Sequence, residues 1–286
     1  MARPFLKWAG GKGRLAPLIA SLIPQELGRY HEPFAGAAAV FFAINDARGP
    51  LAGRATLSDA NAELIACFEA VRDAPAELGA RLRALAEAYL PLPPQERRAF
   101  YYEQRATVPC DPVAAAARLI FLNKTCYNGL YRVNSRGGFN VPHGRYANPR
   151  IFDEETLAAA TVALQGVELS ACDFEKACAA ATEADFVYLD PPYQPLSATS
   201  RFTSYTRGEF TASDQLRLRD CFDALTQRGV SAALSNSDHE AIRTLYDGRG
   251  YEYQLVEMSR AINSRGGRRS PIPELLITNF AAIESR

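Results

Sequence analysis

The stretch FVYLDPPY, residues 186–193, places four apolar residues directly before an acid, two prolines and a tyrosine. A short apolar run of this kind is typical of a strand buried on both faces of a parallel sheet. Open α/β sheets hold their ligands at the carboxyl ends of such strands. We therefore expect Asp190, Pro191, Pro192 and Tyr193 to lie in a functional site at the edge of a sheet.

Five further runs of sequence resemble strands, and helical patterns follow most of them. Besides 185–189, the runs cover residues 30–34, 55–58, 167–171, 230–235 and 274–280. Strands that alternate with helices favour a parallel or mostly parallel sheet with helices on both of its faces. The sequence therefore predicts an α/β fold.

Residues 63–150 interrupt this alternation. Their patterns are helical, with leucines at 78, 82 and 85, a stretch after the prolines of 91–94, and the Ala-rich residues 113–122. We expect one domain from residues 1–62 and 151–286, and a second, mainly helical domain from 63–150. Within the second, Gly137 and Gly138 suit the tip of a β-hairpin near residues 127–146.

The charges of the chain are balanced overall but not locally. Lys plus Arg and Asp plus Glu both number 32, which excludes a uniformly basic protein that coats nucleic acid. Residues 112–152, however, carry several basic side chains and no acid, and 258–273 form a second acid-free basic run. Because a basic hairpin can enter a DNA groove, the first run favours local contact with DNA.

Export and membrane insertion are not expected. The N-terminus has no apolar segment behind a basic one, and no run of about 18 apolar residues occurs. The six cysteines form no Cys-x-x-Cys pair, which is typical of reduced cytoplasmic proteins, and the histidines have no metal-ligand spacing. We therefore place the protein in the cytoplasm, propose no metal site, and take a glycosylation sequon at Asn123 as a chance match.

The residues EPFAGAAAV, 32–40, end the first strand and open a helix. The dinucleotide fingerprint Gly-x-Gly-x-x-Gly does not fit, because Ala38 and Phe41 stand where its later glycines would be. Asp59 ends the second strand, at the position from which an acid can hold ribose hydroxyls. These features favour a nucleoside cofactor that has no pyrophosphate.

The segment KWAGGKGR, residues 7–14, has the glycines and lysine of a phosphate-binding loop but not their spacing. Leu6 stands where the first glycine of a P-loop would be, and Gly13 replaces the hydroxyl residue. We therefore do not expect ATP hydrolysis. Trp8 is the only tryptophan, and its Gly-rich, basic surroundings favour the wall of a pocket over the core.

The residues after the apolar run suit the activation of an amino group on a planar base. Such a nitrogen is a poor nucleophile until acceptors hold its hydrogens, and Asp190 and the Pro191 carbonyl are placed to do so. Tyr193 could stack on the base, an interaction worth about 1–3 kcal/mol. A base in duplex DNA would first have to leave the stack, at a cost of about a few kcal/mol.

Taken together, these motifs resemble the Dam-type DNA adenine-N6 methyltransferases of the D12 class over nearly the whole chain. The matching segments, in the order of the family, are residues 5–12, 32–36, 58–59, 127–134, 139–142, 173–174, 190–193, 195–199 and 202–203. The chain departs from many relatives at Ala37 and Ala38, where a Gly-Ser or Gly-Gly pair is common. The resemblance implies transfer of a methyl group from S-adenosylmethionine to a flipped-out adenine of double-stranded DNA.

The resemblance also implies roles for individual residues. The catalytic tetrapeptide would be Asp190, Pro191, Pro192 and Tyr193. S-adenosylmethionine would be bound by Trp8, Lys12, Phe34, Gly36, Asp59, Asp173, Phe174 and Asp190. A target site, expected to be GATC, would be contacted by Lys7, Tyr127, Asn128, Leu130, Arg132 and Pro142.

Two alternatives stay open. Cytosine-N4 methylation uses the same amino-group chemistry, although serine more often stands in place of Asp190. A non-catalytic DNA-binding protein on the same scaffold would keep the basic segments without turnover. We expect a monomer, with or without a companion restriction endonuclease.

Overall fold

The structure is a computed structural model that describes residues 1–10, 12–13, 15–192, 210–258 and 272–281. Its strands are β1 (Tyr30–Glu32), β2 (Ala55–Asp59), β3 (Glu168–Ala171), β4 (Phe186–Leu189), β5 (Ser231–Ser237), β6 (Glu252–Met258) and β7 (Ile272–Thr278). Its α-helices are α1 (Ala16–Leu22), α2 (Ala39–Arg48), α3 (Ala62–Asp73), α4 (Pro75–Tyr89), α5 (Pro94–Ala106), α6 (Pro112–Thr125), α7 (Glu154–Leu164), α8 (Phe174–Ala179), α9 (Ala212–Gln227) and α10 (Glu240–Tyr246).

The strands form one sheet in the order β3-β2-β1-β4-β5-β7-β6. The first five strands of this order run parallel, and β7 is antiparallel to both of its neighbours. The predicted α/β fold with a mostly parallel sheet is therefore confirmed. Strand β6 is not among the predicted strands. Its residues alternate between apolar and polar only over 251–255, and residues 252–255 are all exposed at this edge of the sheet.

Helices cover both faces of the sheet. In β4, Phe186 and Tyr188 pack into a hydrophobic cluster that contains residues of α1 to α7. Val187 and Leu189 pack into a second cluster, formed with α8, α9 and α10. Because successive residues of a strand point to opposite faces, β4 is buried on both, as its apolar run predicts.

The helical patterns of residues 63–150 correspond to α4, α5 and α6. Each of these helices has a proline in its first turn, where a missing N–H breaks no helical hydrogen bond. Helix α3 contacts β2 and β3 as well as α4 and α6, and the division into two domains stays a prediction. Among the described residues, no helix is long and apolar enough to cross a membrane.

The predicted hairpin has a tight turn and no regular ladder: one isolated antiparallel bridge joins Val133 to Phe139 beside the turn, and a second joins Cys126 to His143. The N–H of Asn134 donates to the carbonyl of Gly138 at 2.9 Å. Gly137 has φ +82°, a conformation that glycine adopts without steric cost. The turn exposes residues 134–137 to solvent.

Candidate active site

Three neighbouring parallel strands, β2, β1 and β4, end at one edge of the sheet. The chain leaving β1 turns through residues 34–36, where the Ala35 N–H donates to the Ser58 carbonyl at 2.9 Å. Asp59 ends β2, and Asp190 directly follows β4. The fold thus brings together two acids and a glycine-containing turn that are far apart in the sequence.

Asp59 holds the turn that follows β1. One of its carboxylate oxygens accepts a hydrogen bond from the Gly36 N–H at 3.1 Å, and the other accepts one from the Asn61 N–H at 2.9 Å. Burial raises the pKa of Asp59, while these two N–H groups partly oppose the shift. The carboxylate is therefore fixed against the turn at the end of its strand.

Gly36 is required where it stands, because Trp8 leaves no space for a larger residue. Gly36 has φ +48°, and a Cβ atom there would lie 2.9 Å from Cδ1 of Trp8. Trp8 in turn stacks on Tyr131, with ring centroids 5.0 Å apart and planes inclined by 25°. Trp8 and Ala37 also line an open cleft of about 850 Å³ whose lining does not include Asp59.

The remaining cofactor candidates lie together at the ends of β1 and β3. Phe34 stacks on Phe174, with ring centroids 5.3 Å apart. Asp173 caps α8 by accepting a hydrogen bond from the Glu175 N–H at 3.0 Å, and it pairs with Arg217 at 2.9 Å. The Arg217 guanidinium carbon lies 4.9 Å from the centre of the Phe174 ring.

A buried ammonium group joins Asp190 to strand β7. The Lys12 Nζ lies 2.9 Å from Oδ1 of Asp190 and 3.1 Å from Oε1 of Glu274, and it donates to the Gly10 carbonyl at 3.2 Å. Only 5% of the Lys12 side chain is exposed. Burial opposes the charge on Lys12, but the two carboxylates outweigh that effect and raise its pKa. The lysine therefore stays positively charged beside Asp190.

Burial and two neighbouring charges set the pKa of the Asp190 carboxyl group. Burial raises the pKa of Asp190 to about 7, the Lys12 ammonium lowers it, and the charge of Glu274 raises it. A buried acid that ionises near neutral pH is typical of functional sites. Pro191 is buried, and the predicted Tyr193 lies outside the described residues.

The sequence alone does not single out Glu274. The acid begins the run ELLITNF, which predicts a strand, and nothing nearby in the sequence links it to Lys12 or Asp190. In the sheet, Glu274 pairs with Ser237 at the carboxyl end of β5. One signal was available, because an acid inside an apolar strand is rarely buried without a partner.

Lys7 lies between Gly129 and the ring of Tyr146. Gly129 has φ +63°, and a Cβ atom on it would lie 2.8 Å from Cβ of Lys7. The Lys7 Nζ lies 4.3 Å from the centre of the Tyr146 ring. The N-terminal segment therefore packs directly on the segment that begins at Tyr127.

The other candidate DNA contacts lie in or beside the segment that begins at Tyr127. The Tyr127 N–H donates to the Pro142 carbonyl at 2.8 Å, and the Tyr127 side chain is 42% exposed. Asn128 has a left-handed φ of +56°. Arg132 donates through Nη2 to the Asn140 carbonyl at 2.8 Å, across the tight turn. All six predicted contacts thus belong to one connected group of segments.

The fold is that of an α/β enzyme whose candidate groups lie at the carboxyl edge of a mostly parallel sheet. The model of the D12 class N6 adenine-specific DNA methyltransferase family matches residues 8–262, and the chain belongs to this family. It is therefore an enzyme that methylates adenine in DNA and requires a methyl donor.

Similar proteins extend over nearly the whole chain. The type II methyltransferase M.MjaIII of Methanocaldococcus jannaschii is 41% identical, over 97% of this chain and 99% of its own length. Type II methyltransferase M1.LlaDCHI of Lactococcus lactis is 39% identical, over 97% of this chain and 95% of its own length. DNA adenine methylase of Escherichia coli is 34% identical, over 96% of this chain and 94% of its own length.

Substitution of Glu274 is expected to change the pH dependence of methyl transfer. If ionised Asp190 is the active form, the wild-type rate falls as pH drops below about 7, the pKa of Asp190. Glu274→Gln removes a negative charge that raises this pKa, so the acid limb of the profile should move to lower pH. The measurement is kcat between pH 5.5 and 9.

The control for this profile is Glu168→Gln. Glu168 is exposed and pairs with Arg29 at 3.2 Å, and its substitution should leave the acid limb in place. A profile for Glu274→Gln that coincides with wild type, or that moves to higher pH, would contradict the charge balance described for Asp190.

Gly129→Ala is expected to impair activity on DNA more than Gly137→Ala. Both glycines have positive φ, so both substitutions carry a similar backbone cost of about 1–2 kcal/mol. Only at Gly129 would the new methyl group meet Lys7, whereas nothing lies within 4 Å of a Cβ at Gly137. Measuring kcat/KM and the free energy of unfolding for both variants separates the two effects. Equal loss of activity in both would refute the contact between Lys7 and Gly129.

Proposed function

We propose that the enzyme transfers a methyl group from S-adenosylmethionine to N6 of an adenine flipped out of duplex DNA, within GATC. The observation that carries this proposal is the position of Asp190 at the end of β4, 2.9 Å from the buried Lys12 ammonium and at the same edge as Asp59. An acid that is partly buried and ionises near neutral pH suits an amino group that must be polarised.

The residues at the edge of the sheet fit S-adenosylmethionine. Gly36 lacks a side chain where the backbone turns beneath Trp8, so the Trp8 ring can pack directly on the turn and would form a wall of the cofactor pocket. Asp59 would bind the ribose hydroxyls, and the neighbouring Phe34 and Phe174 rings would bind the adenine. The remaining cofactor contacts would come from Trp8, Lys12, Asp173 and Asp190. When bound, the cofactor supplies an activated methyl group.

The target adenine would be held by Asp190 and the Pro191 carbonyl. N6 would lose a proton when it receives the methyl group that the cofactor supplies. The Asp190 carboxylate, whose pKa is about 7, is a suitable acceptor for that proton. Tyr193 would stack on the flipped base. The reaction would need neither a covalent enzyme intermediate nor a metal ion.

Residues 63–150 would recognise the target. Arg132 would contact guanine through two hydrogen bonds in the major groove, and Lys7 would contact the first guanine. Leu130 and Pro142 would read the neighbouring bases, and Tyr127 would intercalate with Asn128 beside it. We propose that the enzyme acts as a monomer in the cytoplasm. It would work either alone or beside a companion restriction endonuclease.

Mapping of methylated positions tests the proposed target. Unmethylated plasmid DNA would be treated with the purified enzyme and S-adenosylmethionine, then sequenced by a method that detects N6-methyladenine. We expect modification at GATC and very little elsewhere. Modification at a different site would contradict GATC, and equilibrium dialysis showing no binding of S-adenosylmethionine would favour the non-catalytic alternative.

A further inference from the structure

Asn123, which belongs to a glycosylation sequon in the sequence, is fully buried near the end of α6. Its Oδ1 accepts a hydrogen bond from the Lys7 N–H at 2.8 Å. Its Nδ2 donates to the Lys7 carbonyl at 2.7 Å and to the Gly129 carbonyl at 3.1 Å. The amide oxygen and the amide nitrogen are both used, so the side chain ties together two backbone segments that are distant in sequence.

These two segments also touch each other directly. Gly129 packs on Lys7, and two residues later Tyr131 stacks on Trp8. Trp8 fills the space above Gly36. A continuous series of contacts therefore runs from the turn after β1 to the segment that begins at Tyr127, and Asn123 lies where the two segments join.

We propose that Asn123 is a positioning residue that holds Lys7 and the segment 127–131 in register with the cofactor site, and thereby contributes to the choice of target sequence. The inference rests on the proposed function, in which Lys7 and Leu130 read bases. Asn123 itself is buried and would touch neither DNA nor cofactor. Hydrogen bonds between buried amide groups fix distance and direction, and small displacements of a reading group lose specific contacts.

Asn279 provides a matched control. It also makes three hydrogen bonds through its side chain, accepting from the Ala232 N–H at 2.8 Å and donating to the Val230 carbonyl at 2.8 Å and to the Thr226 hydroxyl at 3.0 Å. Val230 and Ala232 lie at the amino end of β5, opposite to the end where Asp190 is found, and Thr226 lies in the last turn of α9. Asn279→Ala therefore removes a similar set of bonds far from Lys7.

The test compares Asn123→Ala, Asn123→Ser and Asn279→Ala. Asn123→Ser leaves a short, uncharged hydroxyl that is too short to replace all three hydrogen bonds, and it serves if the alanine variant does not fold. For each, urea unfolding gives stability. Sequence preference is the ratio of kcat/KM on the duplex that wild type prefers to kcat/KM on duplexes with one base pair replaced.

We expect both Asn123 variants to lower this ratio by about tenfold, because a lost base contact costs discrimination of that order. Asn279→Ala should keep the wild-type sequence preference even if its urea midpoint falls as far as that of the Asn123 variants. An unchanged sequence preference in a folded Asn123 variant, or an equal fall of that preference in Asn279→Ala, would overturn the role of Asn123. The proposed function would be unaffected. A wild-type enzyme with no site preference would overturn the proposed target recognition, and this inference with it.

Discussion

Asp190→Ala is expected to reduce kcat for methyl transfer by about 10²- to 10⁴-fold while DNA binding is largely retained. The variant removes the acid that would accept hydrogens from the target amino group at the end of β4. Its fold should survive, because the Lys12 ammonium keeps its ion pair with Glu274 at 3.1 Å and is not left alone in the interior. Single-turnover rates and DNA binding at pH 8 measure the two quantities separately.

Asp223→Asn is the matched control for this loss. The Asp223 side chain is 19% exposed, close to the 18% of Asp190, but it lies in α9 and pairs with Arg249. The control should keep the wild-type rate even if it loses some stability. Full activity in Asp190→Ala would refute the role of Asp190, and equal loss in both variants would show that the effect is not specific to the site.

Arg132→Lys is expected to weaken discrimination at one base pair of the target by roughly 5- to 150-fold, which corresponds to about 1–3 kcal/mol. Lysine keeps the positive charge and so keeps attraction to phosphate, but it lacks the planar pair of donors that matches guanine. The loss should therefore appear in kcat/KM on the target site and not in binding to unrelated DNA. Competition assays with duplexes changed at each position would locate the affected base pair.

Arg136→Ala is the control for charge in the same turn. Arg136 is exposed at the tip, whereas Arg132 is half-buried and donates to Asn140. Removal of the Arg136 charge should weaken binding to all duplexes alike and reduce the salt dependence. If Arg132→Lys also weakened all duplexes alike, Arg132 would be a phosphate contact and not a reader of sequence.

The central strands could be predicted because a strand buried on both faces is a continuous apolar run. Phe186–Leu189 is apolar throughout, and the strand is buried on both faces. Strand β1 ends at Glu32, earlier than predicted, because Pro33 has no N–H to extend the ladder. Strand β6 is not predicted, since its alternating pattern is short and its residues 252–255 are exposed at the edge of the sheet.

The gathering of the strand ends also follows from the sequence, because parallel strands place their carboxyl ends at one edge. Gly36, Asp59 and Asp190 are brought together in this way. Glu274 and Asn123 are not, because they bind Lys12 and Lys7, which lie far away along the chain. Such residues are defined by tertiary contacts, and a single acid or amide in an apolar element is their only trace in the sequence.

Transfer of a labelled methyl group tests the proposed methylation of adenine N6 most directly. The purified enzyme would be incubated with unmethylated duplex DNA and S-adenosylmethionine that carries an isotopically labelled methyl group, and the DNA would be digested to nucleosides for mass spectrometry. We predict that the label appears in N6-methyladenine. Label in N4-methylcytosine, or no label in the DNA at all, would contradict the proposed reaction.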